Sequence, residues 1–335
     1  MKSKLGVLVF AAVAVLVLAG SYWFFSNRRP INETTLQIVT VAEVMRSVFY
    51  APQYAAIALG FFEAEGIHID LITSDGADRV MTALLSGAAD IGFSGPEAAI
   101  YVYAAGRADF PVVFAGLTSR DGSFIIGREP MPDFDWQQLR EAHVLPGRRG
   151  GMPFMVLEYT ARRKGILVDV YFDTTIQFAA MVGAFVAGTG DFVTAFEPVA
   201  STLELEGRGY VLASVGEAAG EIPFTSYYAL SSFMDANPAL IQGFTNAIAR
   251  GQAWVMNTDS YLVAQTIQPF FPDAELTILA SAIARYKAIG AYASTPYISE
   301  TSFYRLQDVM EAAGELPQRV PFERLVTNRF AQAVE

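Results

Sequence analysis

The chain has 335 residues, 53% of them hydrophobic and 17% charged, enough for a large core spread over roughly one to three domains. Its formal net charge of −11, with no Lys/Arg run beyond pairs, argues against nucleic-acid binding, which needs a basic face to neutralise phosphates. There is no cysteine, so disulfides, thiolate metal sites and thiol nucleophiles are excluded.

Residues 1–30 stand apart. Lys2 and Lys4 precede an apolar run from Leu5 to Phe25, and Ser26-Asn27-Arg28-Arg29-Pro30 follows. A secretory core is usually ~7–15 residues and a membrane span about 20, so the run sits at the membrane-span end. Tyr22 and Trp23 fall where an interfacial aromatic belt would lie. A signal anchor is the preferred reading and a cleaved signal peptide the alternative. Leu18-Ala19-Gly20-Ser21 has the form of a lipobox with serine in place of the lipid-bearing cysteine, which excludes lipidation. No second span follows, so the bulk of the chain is expected outside the cytoplasm.

Past residue 35, strand-like and helix-like segments alternate, which argues for an α/β fold. Leu36–Val41 reads as a first strand. The aromatic turn Phe49-Tyr50-Ala51-Pro52-Gln53-Tyr54 leads into a short helix that stops at Gly60. Ile67, Ile69 and Leu71 alternate as a strand, Asp78–Ser86 is a helix ended by Gly87, and Asp90–Phe93 is another strand. Ser94-Gly95-Pro96-Glu97 then opens a third helix. Helix openings just after strands are where an α/β protein holds small ligands. Val112–Ala115 and Ser123–Ile126 read as strands around the turn Ser119–Gly122. Gly150-Gly151-Met152-Pro153 opens a helix through about Lys164. Asn237-Pro238 is a capped helix start, and Asp273 and Ser299 start two more. The helix-rich C-terminal third is expected to cap one domain. Leu84–Ala99 also echoes Phe185–Ala200 without a gap, pairing Gly87 with Gly188 and Asp90 with Asp191. Two equivalent helix starts are what a cleft between lobes requires.

Catalytic chemistry has little support. His68 and His143 are the only histidines and neither belongs to a metal-spaced cluster. Gly92–Pro96 falls short of a nucleophile elbow, and no Walker, HExxH or dinucleotide motif is present. Glu97 and Glu197 each lie in the first turn of an expected helix. Either they complement the helix dipole, with Ser94…Glu97 as a capping box, or they face a cleft and accept hydrogen bonds from a ligand. Arg148 and Arg149 precede a glycine-rich helix start and belong either to a solvated turn or to an anion site. Phe49, Tyr50 and Tyr54 around Pro52 suit stacking on a planar ligand.

These segments resemble the substrate-binding proteins of ABC importers, in the branch handling nitrate, alkanesulfonates, taurine and thiamine-pyrimidine precursors. The resemblance rests on FYAPQYAAIALGFFEAEGIHIDL, ALLSGAADIGFSGPEAA, RDGSF, GGMPFMVLEY, QFAAMVGAFVAGTGDFVTAFEPVAS and FTNAIARGQAWV, in that order across about residues 36–330. It implies an α/β, two-lobed type II periplasmic-binding fold with two crossovers, near Ser119–Ser123 and Pro223–Tyr228. Lobe 1 would comprise 31–120 with 226–335, the latter including a helical cap, and lobe 2 would comprise 121–225. Carried over by motif, ligand contacts are expected from Phe49, Tyr50, Tyr54, Ser94, Gly95 and Glu97 in lobe 1. Arg120, Asp121 and Ser123 are expected at the hinge, and Gly150, Gly151, Met152, Gln177, Phe196 and Glu197 in lobe 2. Arg46, just before the aromatic turn, adds a positive group that could recruit an anion and leaves the ligand class undecided. The resemblance implies a monomer without cofactor, metal or catalytic residue, delivering a small solute to a membrane permease and its ATPase subunit. An aminopyrimidine-like heterocycle is the favoured solute and an alkanesulfonate the next. An enzyme on the same fold and a sensory binding domain are the alternatives.

Overall fold

The computed structural model describes residues 36–316 and 318–334, with Phe178 described in its backbone only. The expected N-terminal anchor or signal helix lies outside the described residues. Among them, no helix is long and apolar enough to cross a membrane.

Ten strands form two five-stranded sheets. The first holds β1 (Gln37–Glu43), β2 (Ile67–Thr73), β3 (Ile91–Ser94) and β4 (Pro111–Thr118). The second holds β5 (Ser123–Gly127), β6 (His143–Leu145), β7 (Tyr171–Phe172), β8 (Phe192–Phe196) and β9 (Tyr210–Ser214). The last strand, β10 (Thr225–Leu230), returns to the first sheet. The orders are β2-β1-β3-β10-β4 and β7-β6-β8-β5-β9, each with three parallel strands followed by an antiparallel one. Position by position the two sheets are equivalent, and each receives one strand from across the gap.

The sequence echo is therefore structural. Asp90 receives the Thr40 N–H on Oδ2 at 2.9 Å and donates its own N–H to Thr40 O. Asp191 does the same with His143, at 2.8 Å for the side chain. In both units a helix ends at a glycine of positive φ, Gly87 or Gly188, and the aspartate then ties the new strand to its parallel neighbour.

The helices follow the glycine and proline punctuation. Besides the short helices Phe61–Ala64, Ser231–Ala236, Phe322–Leu325 and Arg329–Gln332, they include α1 (Ala51–Ala58), α2 (Ala77–Ser86), α3 (Glu97–Ala104), α4 (Met152–Arg163), α5 (Phe178–Val186), α6 (Val199–Leu205) and α7 (Val215–Ala219). In the C-terminal third come α8 (Pro238–Asn257), α9 (Ser260–Ile267), α10 (Leu276–Ala288) and α11 (Glu300–Ala312). Three local expectations change. Asn237 precedes α8, but its side chain donates back to Phe233 O instead of capping. The helix expected from Asp273 begins at Leu276, after Glu275. The C-terminal helices reach both halves: α10 touches both α6 and the 3-10 turn Val48–Tyr50, and α11 packs on α4.

The chain crosses between sheets at Thr118–Ser123 and again from Ser214 to Thr225, so Thr225–Tyr228 already belong to β10 rather than to the crossover. The crossovers are tied together. Thr118 Oγ1 and Thr225 Oγ1 lie 2.6 Å apart, and Phe224 and Ile222 donate their N–H groups to Thr118 O and Ser119 O. Helix α7 packs tightly on the first crossover, where a Cβ on Gly216 would stand 2.1 Å from Asp121 O. Gly216→Ala is expected to destabilise by about 1–3 kcal/mol through overpacking, read as a lowered midpoint in thermal unfolding. Gly183→Ala, whose new methyl meets nothing within 4 Å inside α5, should instead stabilise by about 0.5–1 kcal/mol through helix propensity.

Candidate functional site

The aromatic turn sits where the two sheets meet. Ser47 starts it, accepting the Phe49 N–H at 3.3 Å, and Val48, Phe49 and Tyr50 are all buried. The Phe49 ring lies on Gly122 of the first crossover, whose missing Cβ would stand 2.7 Å from it. Its other neighbours are Phe224 of the second crossover (5.7 Å between centroids), Phe196 at the end of β8 (6.0 Å) and Tyr286 of α10 (5.0 Å). Tyr50 turns towards the first sheet and meets Phe93 edge-on at 4.6 Å. Burial raises its hydroxyl pKa, with the carboxyls of Glu43 and Glu97 adding to the effect.

Tyr54 and Arg46 do not join this cluster. Both are held by Glu43, a fully buried carboxylate at the end of β1. It accepts from Tyr54 OH at 2.8 Å, Gln53 Nε2 at 3.0 Å and Thr73 Oγ1 at 3.2 Å, and pairs with Arg46 Nε at 3.3 Å. Arg46 also stands over the Tyr54 and Phe270 rings. Gln53 passes the network on, accepting from Tyr227 OH at 2.8 Å. Burial raises the Glu43 pKa against the lowering effect of Arg46 and its donors. This network underpins the turn, and Glu43 and Gln53 escaped the sequence reading. The available signal was a carboxylate at the end of β1, next to the apolar pair Val41-Ala42.

On the first-sheet side, Ser94 Oγ pairs with Tyr228 OH at 2.6 Å and donates to Gly95 O. No capping box forms, because the Ser94 side chain is spent there and Pro96 occupies the cap position. The Glu97 side chain folds back over Gly95, where a Cβ would collide with its carboxylate. Glu97 is half-buried, its Oε2 is shut off from solvent without a hydrogen-bond partner, and desolvation pushes its pKa up to about 7 against its own N–H. Ser226, opposite Ser94 in the β3–β10 pairing, also carries a buried hydroxyl without a partner.

At the crossover, Asp121 is fully buried. Its Oδ1 accepts both the N–H and the hydroxyl of Ser123, while Oδ2 has no partner. Burial pushes its pKa up to about 7, opposed by Ser123. Arg120 is directed away, to Glu221 at 3.8 Å and towards Gly290.

The second-sheet candidates divide. Phe196 is half-buried against Phe49, and Ser123 lies opposite it in the β5–β8 pairing. Met152, the first residue of α4, is buried, whereas Gly150, Arg148, Arg149 and Gln177 are exposed and Gly151 is half-buried. Gly150 does approach Glu315, whose carboxyl acts, with Glu97, on Tyr101. Glu197 is saturated. It accepts from Arg285 Nη1 at 2.6 Å, Ser201 Oγ at 3.0 Å and Ser201 N at 2.9 Å, and its own N–H donates to Tyr286 OH. Arg285 also bonds Glu204. Of the two glutamates expected to face a ligand, only Glu97 keeps a free acceptor.

Two outcomes follow from these carboxylates. Arg285→Ala leaves the buried Glu197 unpaired and should lower stability by about 3–5 kcal/mol in denaturant unfolding, with Glu197→Gln added in the same chain restoring part of the loss. Glu97 and Asp121, raised from 4.5 and 3.8 to about 7, bind more protons folded than unfolded across that window. Stability should therefore be greatest in acid, fall as pH rises through the window, and level off above pH 7, by an amount on the order of a few kcal/mol. Chemical denaturation at stepped pH reads this, and Glu97→Gln should flatten the slope.

The NMT1-like family model matches residues 39–267. The Bacillus subtilis (strain 168) protein YtlA, described only as a candidate binding protein, is 40% identical over 305 residues, covering 90% of this chain and 91% of its own. Among solved structures, the periplasmic aliphatic sulphonate binding protein SsuA from Escherichia coli superposes with a TM-score of 0.70 at 18% identity, over 86% of this chain and 97% of its own. The periplasmic nitrate-binding protein NrtA from Synechocystis PCC 6803 gives 0.67 at 14%, over 90% and 89%. The two-sheet α/β architecture is thus the periplasmic-binding-protein fold, and the chain belongs to the NMT1-like family.

Proposed function

We propose that this chain is the extracytoplasmic solute-binding component of an ABC importer. Its two sheets are then the cores of two lobes, 31–120 with 226–335 and 121–225, that close on a small organic solute and present it to a permease and its ATPase. The protein works as a monomer, with residues 1–30 as its tether to the membrane.

The position of Phe49 carries this reading. One ring from the first half touches both crossovers, the end of β8 and the C-terminal helix α10. A solute captured beside that ring couples directly to the segments that must bend for the sheets to part. The candidate contacts are Phe49, Tyr50, Ser94, Gly95, Glu97, Asp121, Ser123 and Phe196. Gly150, Gly151, Met152 and Gln177 form an outer rim, and Arg46, Tyr54, Arg120 and Glu197 support the site from behind. The names of the sulphonate and nitrate binders and of YtlA support a binding role over turnover. An aminopyrimidine-like heterocycle suits the aromatic turn and the free acceptors better than an alkanesulfonate does.

A thermal-shift screen of the full-length chain in mild detergent tests this, using pyrimidines, flavins, sulfonates and nitrate. At least one organic compound should raise the unfolding midpoint and contract the particle in small-angle scattering. Stabilisation by nitrate and by no organic compound would sink the organic-solute reading.

A further inference from the structure

Three buried side-chain oxygens around the Phe49–Tyr50 pair lack a hydrogen-bond partner: Glu97 Oε2, Asp121 Oδ2 and Ser226 Oγ. Their placement is common. The Glu97 charge acts on Tyr50 and on Tyr228, and Tyr228 is bonded to Ser94, which lies opposite Ser226. Asp121 directly precedes Gly122, on which the Phe49 ring lies. The other buried polar atoms without partners sit elsewhere. Arg46 Nη1 belongs to the Glu43 network, Arg120 Nε faces Gly290, Gln252 has its amide nitrogen on Gly116 O, and Glu63 is beside Gly60. Around the aromatic pair two of the three unused oxygens are carboxyl oxygens, and the third is a hydroxyl that can donate or accept.

Neither Glu97 nor Asp121 makes an ion pair among the described residues. The titratable groups facing Glu97 are Tyr50, Tyr101 and Tyr228, with Glu315 beyond Tyr101 and Glu43 beyond Tyr50. Asp121 faces Ser123 and Tyr286, and the helix against its backbone contributes Gly216. An ionised carboxylate buried without a donor is costly, and an anion brought beside it raises that cost. A ligand that brings N–H donors and positive charge removes it.

Resting on the binding reading above, we propose that the solute is a cationic nitrogen base, an amidinium or protonated amino-heterocycle. It stacks at the Phe49–Tyr50 turn and donates to Glu97 Oε2 and Asp121 Oδ2, with Ser226 Oγ as a further polar contact. Capture then ionises the two carboxyls, and their protons leave to solvent. This assigns to Glu97 and Asp121 the discrimination against sulfonate and nitrate.

Isothermal titration of the full-length chain in mild detergent tests it, with benzamidine and 4-aminopyridine as cationic probes and benzenesulfonate and nitrate as anions. Titrations at pH 6 and pH 8, each in two buffers of different ionisation heat, count the protons exchanged. The expected result is binding of a cationic probe at least about tenfold tighter at pH 8 than at pH 6, with proton release. Glu97→Gln and Asp121→Asn should each weaken it about tenfold or more and reduce the proton release. Both substitutions keep the side-chain shape, and an unfolding midpoint at pH 6 close to the parent's shows that the fold survives.

An anion that binds, tightens towards pH 6 and takes up protons overturns the cationic class while leaving the chain a solute binder. Cation binding that is indifferent to pH and to both substitutions overturns it too, as does silence from every probe at both pH values.

Discussion

Everything at the meeting of the two sheets depends on a side chain lying flat on a backbone. Gly122 has no Cβ, and the Phe49 ring uses that space, so the first crossover and the aromatic turn touch with nothing between them. A ring in this position buries a large apolar area, worth roughly 2–3 kcal/mol, and also fixes the spacing between the halves. The two crossovers are paired through Thr118 and Thr225, so they cannot bend independently. Phe49 touches both of them. Any change that lifts the ring is therefore felt at the strand ends on both sides.

The turn needs its own support, and Glu43 supplies it. A buried carboxylate with one arginine and three donors is a polar network in which every acceptor position is used. It draws Arg46 and Tyr54 inward, and through Gln53 it reaches Tyr227 in the middle of the first sheet. Arg285 plays the matching part on the other side. It reaches from a C-terminal helix to Glu197 and Glu204 and so holds the β8–α6 corner against the last third of the chain. The C-terminal helices thus contribute to both halves rather than capping one.

Much of the fold was legible because its punctuation is local. Gly87 and Gly188 end their helices locally, and the echo they form with Asp90 and Asp191 shows in the sequence, although those aspartates tie to Thr40 and His143, 50 and 48 residues away. The aromatic turn, the third helix start at Glu97 and the turn Ser119–Gly122 could be read for the same reason, whereas the crossovers followed only from the family resemblance. What could not be read was partnership across long separations. Arg285 lies 88 residues from Glu197, and Tyr227 lies 174 from Gln53. Glu97 and Glu197 looked alike because each follows a short strand and precedes a helix. Nothing local says that one meets an arginine and the other does not.

That difference separates structural carboxylates from candidate binding ones. Three acidic side chains, Glu43, Asp121 and Glu197, are buried around the aromatic turn and crossover, and Glu97 is half-buried with its Oε2 shut off from solvent. Two have guanidinium partners and full sets of donors, as stability requires of a buried charge. The other two keep a bare oxygen, and burial holds both close to the point where a small change in surroundings ionises them. A fold that neutralises Glu43 and Glu197 with arginines could have done the same at Glu97 and Asp121. Likeness to sulphonate and nitrate binders fixes the frame of sheets and crossovers, because backbone geometry survives at 14–18% identity. Ligand chemistry resides in the side chains set on that frame. At Glu97 and Asp121 they are carboxyl oxygens that have no hydrogen-bond partner and make no ion pair among the described residues.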